Sequence, residues 1–438
     1  MMSKSLFSLI LVLALPALAQ NAFVQNNARL DQRLENGMRV ILVEDHHAPV
    51  ASYVLLYKFG SADDPPHRTG LAHFCEHLVL TRSGEASVRY AALIQSRGGT
   101  FNATTGRDST RFYATVPSTA LLPALAYEAQ RMKGREFTPE GFKLESGVVE
   151  NERVQHHEDQ PYGAAEDYLD ELAASTTAYQ HPVIGYVPDL RQITLQEARE
   201  FIATHYWPQN AVLTIVGDFS APQLLKSVHA IFGGGSQPSD LAAVPRQVEP
   251  HSHDGQFETT DKQARAARLY FAYPAPSLGD KAASDLLLLD VILTKSQHAR
   301  LKQALVDSRI ASSVKSDMEF RKDGGLYYLI VTLARPDAAE KASAAIDAAL
   351  RSIRETGITA AELRRAQLIL EGEQAEKDES SRYRATQIAT GAALFNAPDI
   401  LESTNDQLRH ATGSQIAGVA GHYLLGKEHV SLLVKPNK

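Results

Sequence analysis

Residues 71–80 read Leu-Ala-His-Phe-Cys-Glu-His-Leu-Val-Leu, and three of these side chains could do chemistry together. His73 and His77 lie four apart, so on a helix both imidazoles point the same way. Two imidazoles at that spacing can share one divalent metal ion. Glu76 precedes the second histidine, and its carboxylate would sit near that ion, placed to take a proton from a water. Glu145 and Glu152 are seven apart, about two helical turns, and share a face. Glu152 lies 75 residues beyond His77, and a third ligand on a later helix suits a site that keeps one coordination position open. Taken alone, the same residues also fit an ordinary amphipathic helix followed by one with solvated carboxylates.

These residues must be held by the elements around them. Residues 38–43 and 50–57 are β-rich runs separated by polar Glu44, Asp45, His46 and His47, and they read as paired strands with a histidine-bearing loop. After the motif helix, residues 86–97 have a helical pattern that Gly98-Gly99 stops, and 100–116 alternates as a strand pair. Residues 121–133 read as a helix, and another begins near Pro139. His156, His157 and Glu158 form a second polar cluster, expected to be exposed because no partner is evident. Cys75 is the sole cysteine, expected to be buried in the motif helix.

The 438 residues, 44% hydrophobic, can build more than one core, and a net charge of −7 without a basic block argues against a nucleic-acid partner. Residues 1–19 carry Lys4, a short apolar run and Ala17-Leu18-Ala19, the pattern of a cleaved secretory signal, which predicts the periplasm and no stable membrane anchor. Residues 233–255 are rich in Gly, Ser, Pro and polar groups and read as a linker. Beyond it the pattern restarts, with strands at 267–273 and 326–333, an apolar helix at 282–293, and helices at 337–354 and 360–378. His205-Tyr206 and His422-Tyr423 each precede a β-run. The expectation is an α+β chain of two similar α/β sandwich domains, each a mostly antiparallel sheet packed with helices, at 20–232 and 256–438. Only the first holds the metal motif.

With the segments 70–78, 98–104, 147–153, 161–163, 181–185 and 206–218 added, the chain resembles the insulinase–pitrilysin family of zinc peptidases, the inverzincins, over nearly its whole mature length. It is most similar to short bacterial members akin to the mitochondrial processing peptidase. The resemblance implies that His73, His77 and Glu152 bind one zinc ion per chain and that Glu76 is the general base. It implies that Glu145 supports the site from behind the ligands, and that Asn102 and Ala103 lie on the edge strand where extended peptide adds. Histidine and glutamate ligands alone also suit manganese or cobalt, so zinc rests on the resemblance. The family also uses an arginine and a tyrosine, seven residues apart in the C-terminal half, to hold substrate and stabilise the oxyanion. Aligning Gly325-Leu326-Tyr327-Tyr328 with that segment puts Tyr327 at the arginine position and Ala334 at the tyrosine position; Arg382-Tyr383 lies elsewhere. The implied protein is a zinc endopeptidase for unfolded peptides. It would be the zinc subunit of a heterodimer whose related partner carries the pair, or else a homodimer. The competing expectation is a non-catalytic structural or assembly subunit of the same fold.

Overall fold

A computed structural model describes residues 29–81, 85–133, 137–174, 176–235, 254–426 and 428–437. The expected signal segment and most of the expected linker (236–253) lie outside the described residues. The first half runs β1 (Arg29–Arg33), β2 (Arg39–Glu44), β3 (Val50–Tyr57), α1 (Leu71–Thr81), α2 (Glu85–Ser96), β4 (Thr100–Thr105) and β5 (Thr110–Pro117). It continues α3 (Leu121–Lys133), α4 (Pro139–Arg153), α5 (Gly163–Ala173), α6 (Val187–Leu190), α7 (Leu195–His205), β6 (Ala211–Gly217) and α8 (Ala221–Phe232). The second half runs β7 (Gly255–Asp261), β8 (Arg268–Ala275), α9 (Lys281–Asp290), β9 (Ala311–Glu319), β10 (Gly325–Leu333) and α10 (Ala339–Thr356). It closes with α11 (Ala360–Asp378), α12 (Ser381–Leu394), α13 (Ile400–His410), α14 (Gly413–Val419) and β11 (Val430–Pro436).

Among the described residues the strands make two sheets, ordered β1-β2-β6-β3-β5-β4 and β7-β11-β8-β10-β9. Leaving β1 aside, the two orders are the same: the last strand of each half lies parallel to the first and antiparallel to the second. The halves therefore repeat one plan, as the sequence predicts. The expected pairing of β2 with β3 is corrected, because β6 lies between them, with Ile41 opposite Thr214 on one side and Val54 opposite Thr214 on the other. Every residue of β6 is buried, so this strand gains most from the sheet centre. The link 45–49 is long enough to cross over a single strand, since two strand spacings are only about 10 Å.

One face of each sheet carries helices from its own half. On the first, Leu55, Tyr57 and Phe112 pack with Phe74, Leu78, Leu125 and Phe201. The opposite faces are covered crosswise. From the second half, α12 lays Ala385, Ile388, Ala389 and Ala392 on Ile41, Val54, Leu56 and Val212 of the first sheet. From the first half, α5 lays Ala165, Leu169 and Leu172 on Tyr270, Ala272, Leu326 and Leu432 of the second. The two sheet edges β4 and β9 are left facing a common cavity of about 950 Å3.

Candidate metal centre

The motif helix is fixed at its start by side-chain and backbone geometry. The carboxylate of Asp64 accepts hydrogen bonds from the backbone N–H groups of Gly70 and Ala72, both at 2.7 Å, and so caps α1. Gly70 has φ +88°, and a Cβ there would sit 2.4 Å from the carbonyl oxygen of Ile184. Gly185 has φ +79° and presses on Thr69 in the same way. Only glycine allows both the left-handed backbone and this close approach. Helix α4 starts at Thr138, whose hydroxyl accepts from Gly141 N at 3.1 Å, and Phe142 meets Phe74 of α1 edge-on at 5.1 Å. That contact brings the carboxylate face of α4 onto the histidine face of α1.

The two faces converge. Glu152 Oε2 lies 3.3 Å from His77 Nε2 and 3.9 Å from His73 Nε2, and one ligand atom from each of the three residues falls within 4.8 Å of the others. Glu145 Oε2 lies 3.5 Å from His77 Nδ1, behind the ligand set. The electrostatics fit a cation at this point. Burial, helped by the charge of His77, brings His73 down to about 4, so it is a neutral imidazole able to coordinate. Burial also opposes charge on His77, but the carboxylates of Glu145 and Glu152 outweigh it and hold its pKa up to about 9. Glu152 is held low, first by His77. Glu152 Oε2 is buried without a hydrogen-bond partner while facing both imidazoles. Two imidazoles and one carboxylate of this kind suit a zinc ion, which would take the place of the proton on His77.

Glu76 is 4% exposed, and burial pushes its carboxyl above the usual range. Its Oε2 accepts a hydrogen bond of 2.8 Å from the hydroxyl of Thr105, which is itself 3.3 Å from that of Thr110. Sequence reasoning missed Thr105. The available signal was the alternation along β4, which puts residues 103 and 105 on one side. Cys75 is buried, as expected, with its Sγ 3.7 Å from the carbonyl of Ala198.

Asn102 and Ala103 lie on β4, the edge of the first sheet, and both line the cavity with His73, Glu76 and His77. The edge is capped by its own side chains: Asn102 Oδ1 accepts from Ala103 N at 2.9 Å, and Thr104 donates to Ala103 O at 2.7 Å. Across the cavity, Asp317 Oδ1 accepts from Met318 N on β9 in the same way, at 2.8 Å. The expectation that His157 lacks a partner is corrected. Helix α5 brings Asp167 Oδ1 to 3.4 Å from its Nδ1, and both residues line the cavity; His156 and Glu158 are exposed.

A second correction concerns the missing pair. Arg321 and Tyr328 are seven residues apart, with Arg321 Nη2 3.5 Å from the phenol oxygen, and Tyr328 lines the cavity. Tyr327 instead points into the second core, where its hydroxyl donates to Asp290 at 2.9 Å. Strand alternation sends neighbours to opposite faces, so the cavity takes Tyr328 and the spacing must be counted from there. The arginine then falls in the turn before β10 rather than in the strand.

Known proteins resemble this chain in sequence and in fold. The profile described as insulinase (peptidase family M16) matches residues 39–186, and that of the peptidase M16 inactive domain matches residues 192–370. The uncharacterized zinc protease YmxG of Bacillus subtilis is 23% identical over 405 residues, spanning 92% of this chain and 97% of its own. The crystal structure of a protease from Helicobacter pylori superposes with a TM-score of 0.87 at 22% identity, over 94% of this chain and all of that one. The periplasmic protease PqqL of Escherichia coli superposes with a TM-score of 0.74 at 19% identity, over 93% of this chain and 48% of that one.

Proposed function

This chain belongs to the insulinase (M16) peptidase family, and from that premise we propose that it is a zinc-dependent endopeptidase that cleaves unfolded peptides. The observation that carries the reading is the meeting of His73, His77 and Glu152 beside a buried Glu76, on a cavity that also takes in an edge strand. When bound by those three residues, zinc supplies a Lewis acid that polarises the scissile carbonyl and acidifies a water. Glu145 orients His77 from behind. Glu76 accepts the proton of the attacking water on its carboxylate and passes it to the leaving amine. Residues 102–104 of β4 give up their side-chain caps to an extended peptide, whose backbone adds as a further strand. Register then follows from main-chain bonds, and cleavage is tolerant of sequence.

Arg321 and Tyr328 supply the arginine and tyrosine that the family uses for the oxyanion. With the pair in this chain, the favoured assembly is the chain alone or two like copies, and a heterodimer with a related subunit is the second reading. The signal-like residues 1–19 support a periplasmic location. The inactive-domain match begins at residue 192, past the proposed zinc ligands, so a non-catalytic subunit gains no support from residues 71–80.

The test uses quenched fluorescent peptides and the purified, zinc-loaded chain. Glu76→Gln should keep its zinc by elemental analysis and lose about 10²–10⁴-fold in kcat. Undiminished cleavage by that variant would remove Glu76 from the role of base. Cleavage that appears only on adding a related protein would restore the heterodimer.

A further inference from the structure

Beyond the zinc ligands, a closed ring of charged and phenolic groups joins the two halves at the cavity wall. Arg107 stands in the turn after β4, and Arg321 at the corresponding place after β9. Between them lies Glu319, with Oε1 2.7 Å from Arg107 Nε and Oε2 2.5 Å from Arg321 Nη2. Arg107 Nη2 also donates to Asp170 of α5, and Asp170 accepts from the hydroxyl of Tyr328. Tyr328 returns to Arg321 at 3.5 Å, closing the ring. Arg107 is fixed on its own side as well, since Nη1 donates to the carbonyls of Tyr179 at 3.0 Å and His181 at 2.7 Å. The turn opposite is tied by Lys322 N donating to Asp108 at 2.9 Å.

We propose that Arg107 is a positioning residue that, through Glu319 and Asp170, sets the Arg321–Tyr328 pair relative to the zinc side of the cavity. This rests on the peptidase reading above. Arg107 is spent on its anchors, with every side-chain nitrogen engaged. Arg321 is 1% exposed and is held by Nη2 alone, while its Nε and Nη1 are buried without a hydrogen-bond partner. Two cations and two carboxylates balance, so the ring holds the pair without net charge. A lysine at position 107 keeps the charge but offers one nitrogen, which cannot meet two carboxylates and two carbonyls at once.

The experiment compares Arg107→Lys, Arg107→Gln and the isosteric Glu319→Gln in the zinc-loaded full chain. Each should lower kcat about 10- to 100-fold, leave KM within about twofold and leave zinc content unchanged. In an Arg321→Met, Tyr328→Phe background, Arg107→Gln should bring no further loss. An undiminished loss in that background, or a rise in KM without a fall in kcat, overturns the proposal and leaves a plain ion pair between halves. Should the Arg107 variants fail to fold, Glu319→Gln carries the same comparison. A second readout is independent of turnover. In ¹³C-tyrosine NMR, the resonance missing from Tyr328→Phe identifies Tyr328, and it should shift in Arg107→Gln. If it does not move, the proposal fails even with an active enzyme. If it shifts in a chain that cleaves nothing, the positioning stands and the peptidase reading alone falls.

Discussion

At the scale of single residues, the base depends on one neighbour. Glu76 is buried and its carboxylate accepts from Thr105 at 2.8 Å. A hydrogen bond to a charged group contributes about 1.5–3 kcal/mol, so Thr105→Val should lower kcat/KM roughly tenfold or more. Thr105→Ser should restore most of it, and zinc content should be unchanged in both. Equal activity in the valine variant would mean that packing alone sets the carboxylate. His73 and His77 could be paired from the sequence because helical period fixes where residues four apart point, whereas Glu152 as third ligand rested on the family resemblance. Thr105 was legible only as strand parity. Arg321 was not, because it sits in the turn before β10 (Gly325–Leu333), where no period constrains the side chain. Tyr327 and Tyr328 are adjacent tyrosines on opposite faces, and the choice between them needed the sheet.

At the scale of elements, two devices set where helices begin. Gly70→Ala forces a side chain into a left-handed backbone, at about 1–2 kcal/mol, and drives its Cβ to 2.4 Å from the Ile184 carbonyl. The melting midpoint should fall by several degrees, and zinc should dissociate faster, because α1 (Leu71–Thr81) carries both histidines. In the second half, α11 (Ala360–Asp378) starts with a capping box in which Thr359 and Glu362 bond reciprocally, and Arg300 grips the same carboxylate at 2.7 and 3.0 Å. Arg300 leads in holding the Glu362 carboxyl down at about 2. A lowered folded pKa means stability that is complete above the unfolded value of about 4.3 and is lost as pH falls toward 2. The melting midpoint should therefore drop across that window, and Arg300→Met should flatten this part of the drop. Parallel curves for the two proteins would assign the acid sensitivity to other carboxylates. Most helices and strands were legible from periodicity and turn residues. The β2–β3 pairing was not, because apolar pattern identifies a strand without naming its neighbour.

At the scale of the whole molecule, the crosswise helices decide how the chain behaves as a unit. Helix α12 (Ser381–Leu394) closes the outer face of the first sheet, and α5 (Gly163–Ala173) closes that of the second. Neither half has a finished core without the other. The sequence showed two similar halves but could not show this exchange, since an apolar helix face says that it will be buried and not against which sheet. Ala385, Ala389 and Ala392 are small, so α12 approaches the first sheet closely, and a larger or charged side chain has nowhere to go. Ala389 is fully buried, and Ala389→Asp would place an unpaired carboxylate there, at several kcal/mol. The wild-type chain should melt in one calorimetric transition that takes both halves together. The variant should move that whole transition down and weaken zinc retention, although the substitution lies on the second half's helix. Two separate transitions, with only one displaced by Ala389→Asp, would mean that each half folds on its own core and that the exchanged helices merely dock.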